Sequence, residues 1–275
     1  MRASDIGILK PVDATMIASG GAERTILRLA GADVPTLTEG SPGFFRDDFR
    51  LAPYNLFVSL AEAAASPGAN WKPPGDPYLP FGDANDFSGD VPVTTIAATF
   101  SDSHTTSWEY SGDGWTRPES LAQSGDDFVA DNVLLLRVKV GDAGYLDPGG
   151  YAVPETFFYG EGEAILVHGD QALRCVWTKK DEATALTLST AQGDDITVPA
   201  GHTWIELVPA KDGQVTLVSS RRCSKPSSPC HDGCMVAAPS VSYSITVRPR
   251  RSSRRCRGQP DSPQPWNLRG DWSLP

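Results

Sequence analysis

Residues 162–178 read GEAILVHGDQALRCVWT, two apolar runs on either side of Gly169-Asp170. Such a pair between segments rich in β-branched and aromatic side chains is a hairpin signal, so the stretch predicts two antiparallel strands. The same texture extends in both directions. Upstream lie VTTIAATF (93–100), SWEY (107–110) before SGDG, WTR (115–117) and NVLLLRVKV (132–140). Downstream, ATALTLSTAQGDDITV (183–198) turns at Gly193-Asp194, and TWIELVP (203–209) and QVTLVSS (214–220) close the run. An antiparallel β domain over 93–220 follows, with Trp108/Trp115 and Trp177/Trp204 expected as cross-strand or inter-sheet core pairs.

The first 66 residues differ in texture. Segment 5–21 reads as extended pieces broken by Pro11, ending in Gly20-Gly21. AERTILRLAG (22–31) then sets Ile26, Leu27 and Leu29 among charges at helical spacing, with Gly31 suited to the position just past the helix. With VPTL behind it, residues 13–37 predict a strand–helix–strand unit. FFRDDFRLAPYNLF (44–57) carries two arginines and two aspartates among aromatic rings. Its Asn55 is placed to cap a helix over LFVSLAEAAA. Residues 67–92 form a Pro/Gly-rich surface linker, and 221–275 an Arg-, Ser- and Pro-rich tail whose composition cannot offset its ordering entropy.

Composition bounds the rest. The 275 residues, 40% hydrophobic, suffice for a real core, and 26 glycines and 23 prolines disfavour a helical bundle. Residues 1–220 hold 14 basic against 31 acidic side chains, a formal −17, while 221–275 carry 10 against 3, a formal +7. An acidic body repels nucleic acid and anionic lipid, so no specific nucleic-acid partner is expected. No apolar run is long enough for a transmembrane segment. RASDIGILKPVD after Met1 lacks the apolar stretch of an export signal, which by itself keeps the chain cytoplasmic.

Taken together, RASDIGIL (2–9), SGG (19–21), FFRDDFRLAPYNLF, FSDSHTTSWEYSGDGWTR (100–117), NVLLLRV (132–138), GEGEAILVHGDQALRCVW (160–177) and GHTWIELVP (201–209) resemble the YerB-like lipoprotein family, a bacterial domain of unknown function. The resemblance covers Arg2 to about Val218. It implies an α+β protein of the cell envelope, exported and membrane-anchored, with an N-terminal α/β domain and a C-terminal β domain. It also implies that the front of the first domain and the export signal are missing here, and that the tail is unrelated. The organisation expected is therefore a truncated α/β domain over 1–66, the linker 67–92, the β domain 93–220 and a disordered basic tail 221–275. A truncated first domain would expose an unpaired sheet edge.

Candidate chemistry gathers at two places. Arg46 and Arg50 can brace their loop against Asp47 and Asp48, with Phe44, Phe45, Phe49 and Phe57 packed beneath, or can hold a carboxylate or phosphate. Ser19, Gly20 and Gly21, between a strand and a helix, leave backbone N–H groups for an anion. The lysine and spacing of a phosphate loop are missing. If both are real they converge on one pocket. His104, His168 and His202 lack paired-ligand spacing, and Asp83, Asn85, Asp86 and Asp90 fail as a calcium loop because Phe87 occupies a ligand position. Cys223, Cys230, His231 and Cys234 are too irregularly spaced for zinc. No cofactor or metal is expected. Two readings stay open: a non-catalytic binding or structural module for an envelope partner or small anion, and a hydrolase of anionic envelope polymers using Asp5, Asp47 or Asp48. A nonfunctional gene fragment is a third.

Overall fold

The computed structural model describes residues 1–65, 77–123, 125–147 and 149–220, together with strand Ser242–Thr246. It is α+β, dominated by antiparallel strands. Most of the tail, including Cys223, Cys230, His231 and Cys234, lies outside the described residues, as do residue 66 and 67–76 of the linker. Strand Ser242–Thr246 pairs antiparallel with Gln214–Ser220.

Two compact units form, and neither is contiguous in sequence. The first comprises Met1–Asp86, Val138–Ala164 and Cys175–Ala200; the second comprises Phe87–Arg137, Ile165–Arg174 and the described residues from Gly201 onward. Both units draw on the strand-rich region.

In the first unit, Met16–Ile17 and Thr36–Leu37 pair in parallel around helix Glu23–Gly31, the expected strand–helix–strand. The helix ends differently from the reading of Gly31. Gly31 is its last residue, and Asp33 takes the left-handed conformation at φ 53°. The Val34 N–H bonds the Leu29 carbonyl at 3.0 Å and the Asp33 N–H bonds the Ala30 carbonyl at 3.1 Å, the paired closure of a Schellman end. Aspartate tolerates that conformation because its short polar side chain bonds locally. Val34 and Leu29 are both buried with Ile6, but Ile26 and Leu27 face outward, since Thr25 and Leu29 are the helical residues that turn inward.

Segment 5–21 also departs from expectation. Ala3–Val12 coils through helical turns, and Pro11 fits there because it stands at the start of a turn, where its missing N–H costs nothing. Phe44–Arg46 and Leu56–Val58 form a hairpin in place of the first part of the Asn55-capped helix. The Phe-Val pair suits a strand, so the helix is delayed to Leu60–Ala65, and Ser59 Oγ accepts the Glu62 N–H at 3.4 Å. Gly43 joins the two elements at φ 87°, where a Cβ would stand 2.7 Å from the Ser59 oxygen and 2.8 Å from the Ala63 nitrogen. Gly43→Ala is therefore expected to lower stability by roughly 1–3 kcal/mol, read as a fall in denaturant midpoint at unchanged slope.

The described part of the linker is tied down. Phe81–Gly82 pairs in parallel with Val198–Pro199, Leu79 is buried, and the Tyr78 hydroxyl donates to the Gly7 carbonyl at 3.2 Å. Helix Glu23–Gly31 is fixed by side chains of its own first turns: Arg24 donates to the Gly144 carbonyl at 2.9 Å, and Arg28 pairs with the buried Glu155 at 2.6 Å.

The second unit is an antiparallel sheet in which Thr95–Ser101 lies between His104–Tyr110 and Gln214–Ser220, with Trp115–Thr116 beyond. Ile96, Trp108, Trp115, Val133, Val208 and Leu217 form its core. The Gly169-Asp170 turn is present, with Gly169 at φ 54° and its carbonyl accepting the Trp115 indole N–H at 2.9 Å. Of the four tryptophans named from sequence, Trp108, Trp115 and Trp177 are buried and Trp204 is half-buried against the core, but their partners are not those expected. Trp108 meets Trp204 at 5.3 Å, Trp115 meets Tyr110, and Trp177 meets Phe158.

Candidate functional site

The residues singled out at the first unit are arranged as follows. Arg46 forms a fork on Glu39, Nε to Oε1 at 2.7 Å and Nη2 to Oε2 at 2.8 Å, and Nη1 donates to Asn55 Oδ1 at 2.6 Å. This hydrogen-bonded pair lowers the Glu39 pKa and raises that of Arg46. Three donors are engaged, and Asn55 is an acceptor for arginine, not a helix cap. Arg50 lies 3.4 Å from Asp47 and 5.1 Å above the Phe57 ring. Asp47 also accepts the Phe49 N–H at 2.9 Å, and Asp5 accepts the Arg2 N–H at 2.7 Å, so both aspartates close local turns. Of the phenylalanines, Phe57 lies beneath Arg50, while Phe45 and Phe49 do not pack under the loop. Phe45 and Phe57 stack on each other at 5.9 Å, and Phe45 and Phe49 are exposed. Ser19–Gly21 precedes helix Glu23–Gly31, whose N-cap Ala22 offers no side-chain cap; the Gly20 carbonyl accepts the N-terminal ammonium at 3.5 Å.

Asp83 turns back on its own loop through Asn85, and among the described residues no group of three or more histidine, cysteine, aspartate or glutamate side chains is placed to hold a metal ion. No helix among them is long and apolar enough to cross a membrane.

A second constellation, in the second unit, was not recognised as a site from sequence. Strand His104–Tyr110 presents Trp108, strand Thr203–Pro209 presents Trp204 and Glu206, and Arg117 follows strand Trp115–Thr116 directly. The Arg117 guanidinium lies over both indoles, 5.9 Å from Trp108 and 5.4 Å from Trp204. Arg117 Nε is buried without a hydrogen-bond partner, and no carboxylate among the described residues pairs with the guanidinium. The buried Glu206 accepts Trp108 Nε1–H at 3.0 Å and the Thr106 hydroxyl at 2.9 Å on its Oε1. Phe128 packs on Trp204 at 5.5 Å and meets His202 edge-on at 5.7 Å. Asp131 Oδ2 accepts the His202 backbone N–H at 2.7 Å and lies 3.4 Å from its Nδ1. The stack fixes the guanidinium in place without neutralising it, which leaves its fork able to pair with an anion. The strand signal of WTR marks nothing particular about its arginine.

Residues 96–205 match the sequence profile of the C-terminal domain of DUF3048, a protein of unknown function. The fold resembles the crystal structure of the YerB protein from Bacillus subtilis, with a TM-score of 0.59 at 17% identity over 78% of this chain and 74% of that one. Residues 96–205 thus resemble a domain of unknown function, in a chain with a YerB-like fold. Among curated proteins none matches. The YerB likeness establishes the fold. The DUF3048 segment contains Trp108, Arg117, Phe128, Asp131, His202 and Trp204, whereas Ser19, Gly20, Gly21, Arg46 and Arg50 precede it.

Proposed function

We propose that this YerB-like chain is a non-catalytic binding module of the bacterial cell envelope that holds an anionic ligand on Arg117. The observation that carries the reading is the guanidinium stacked on Trp108 and Trp204 with no ion pair to a carboxylate among the described residues. The Nε is enclosed in the stack, and an arginine held this way and paired with no carboxylate offers its terminal N–H donors to an oxyanion. Arg46 is the poorer seat because Glu39 and Asn55 already occupy three of its donors. The envelope location follows the family resemblance and predicts that the protein fractionates with membranes of its host cell.

Titration of the purified chain with phosphate and with small carboxylates, followed by tryptophan fluorescence, tests the seat, because two indoles touch the guanidinium. Arg117→Gln is expected to weaken binding by about 10- to 100-fold, the loss of one or two charge-assisted hydrogen bonds. Arg46→Gln is expected to leave binding unchanged. The reverse result would move the seat to the hairpin Phe44–Arg46/Leu56–Val58.

The alternative, a hydrolase of anionic envelope polymers, draws on the Asp131–His202 contact. It requires turnover of such a polymer that His202→Ala abolishes while binding persists.

A further inference from the structure

We propose that the hairpin Phe44–Arg46/Leu56–Val58, with the loop that joins its strands, is the contact surface of a homodimer in which two copies of this chain meet about a two-fold axis. The inference stands on the first unit alone and does not depend on the Arg117 seat. Phe49 is 100% exposed, Leu51 86%, Tyr54 82%, Leu60 64% and Phe45 54%. Phe45 and Phe57 stand opposite each other in the hairpin register and stack, so they share one face. Phe49, Leu51 and Tyr54 belong to the connecting loop. That loop is closed at its base by the Asp47 N–H to Asn55 carbonyl bond at 2.8 Å and farther out by the Tyr54 N–H to Leu51 carbonyl bond at 3.1 Å. Its backbone is thus satisfied internally while its apolar side chains stay in water.

Area, charge and the size of the sheet select a second copy as the occupant. An aromatic side chain buries about 150–250 Å², so the exposed fractions of Phe45, Phe49, Tyr54 and Phe57 amount to roughly 400–700 Å². Leu51 and Leu60 bring the total to about the 800 Å² that each partner gives to a standard interface, above the about 300–600 Å² of the largest apolar patch on a typical monomer. The formal −17 of residues 1–220 repels another copy over most of the surface, but residues 44–61 hold only Arg46, Asp47, Asp48 and Arg50 as charged groups, a net charge of zero. Asp48 and Arg50 are both exposed and of opposite sign, so the surface complements itself across a two-fold axis, as an interface between identical patches requires. The hairpin has three residues in each strand and no third strand among the described residues, a sheet too small to be stable by itself, and covering its open face supplies what it lacks.

Analytical ultracentrifugation of the full chain between about 1 and 100 μM tests the dimer. A species of twice 29.4 kDa is expected, with a dissociation constant on the order of micromolar. Phe49→Ser and Leu51→Ser are each expected to weaken association at least about tenfold. Both side chains are exposed, so the denaturant midpoint of the isolated variants at low concentration stays that of the wild-type monomer. The dimer is expected to persist in about 0.5 M NaCl, which screens charge and spares apolar contact. A 29.4 kDa monomer throughout the range overturns the proposal, as does a dimer that neither substitution weakens. Association abolished by the salt also overturns it, and assigns the contact to the basic stretch 221–275 of one copy on the acidic body of another. A monomer that sediments with phosphatidylcholine vesicles, and ceases to do so as Phe49→Ser, overturns it in favour of insertion into a neutral lipid surface.

Discussion

Trp108→Ala is expected to lower the unfolding free energy of the second unit by about 3–5 kcal/mol, the range for emptying a large aromatic site in a packed core. Trp108 is fully buried between Ile96, its cross-strand partner, and Trp204. Its loss also deprives the buried Glu206 of one of two donors and Arg117 of half its shelf. With typical domain stabilities of about 5–15 kcal/mol, the variant is expected to show a large fall in denaturant midpoint, or no cooperative transition where that margin is small. Trp108→Phe retains most of the packing but not the N–H, and is expected to cost about 1–3 kcal/mol through Glu206. A loss below about 1 kcal/mol in Trp108→Ala would mean that the core is organised around other residues.

Lys179→Met is expected to cost about 2–4 kcal/mol in the first unit. The Lys179 side chain is fully buried and donates to the carbonyls of Asp181 at 2.8 Å, Glu182 at 2.9 Å and Thr184. Those acceptors belong to the backbone, so methionine fills the space but strands three oxygens, unlike replacement of a whole ion pair by apolar groups. The same burial pulls the ammonium down to about 8, with Asp181 and Glu182 opposing the shift. The pH dependence follows from the sign of that displacement. Between about pH 8 and the ordinary lysine value of 10.5 the unfolded chain binds the proton and the folded chain has released it, so this group makes unfolding harder as pH rises. Below about 8 its burial is a full cost in the native state. Tyr78, whose pKa burial raises, acts in the opposite sense above pH 10, because there the folded chain keeps a proton that the unfolded chain has lost. Urea denaturation between about pH 7.5 and 9.5 isolates the lysine. Wild type is expected to gain stability relative to Lys179→Met across this window, and parallel profiles would refute the assignment.

Local signals were readable and long-range ones were not. The Gly169-Asp170 hairpin, the strand–helix–strand over 13–37 and the alternation of the strand-rich region depend on a few consecutive residues, and they stand in the structure. The expected cap at Asn55 failed because a three-residue strand forms ahead of the helix, and that strand exists only through pairing with Phe44–Arg46. The site shows the same divide. Arg46 was conspicuous for its charged neighbours, which the structure shows to be what engages it. Arg117 was inconspicuous, because its shelf is built from Trp108 and from Trp204 on a distant stretch.

The sequence by itself determined the α+β class, the antiparallel character of the region from 93 to 220, the positions of the tight turns and the core burial of Trp108, Trp115 and Trp177. Steric and hydrogen-bonding preferences of neighbouring residues act over one turn or one hairpin, and so are written in order along the chain. Only the tertiary structure decided which indole meets which, how two compact units are drawn from interleaved segments, and that Arg117 lies over two indoles. Those outcomes depend on strand register across large separations, such as the 98 residues between Trp108 and Glu206, where many pairings satisfy the same local pattern and packing of the whole core selects one.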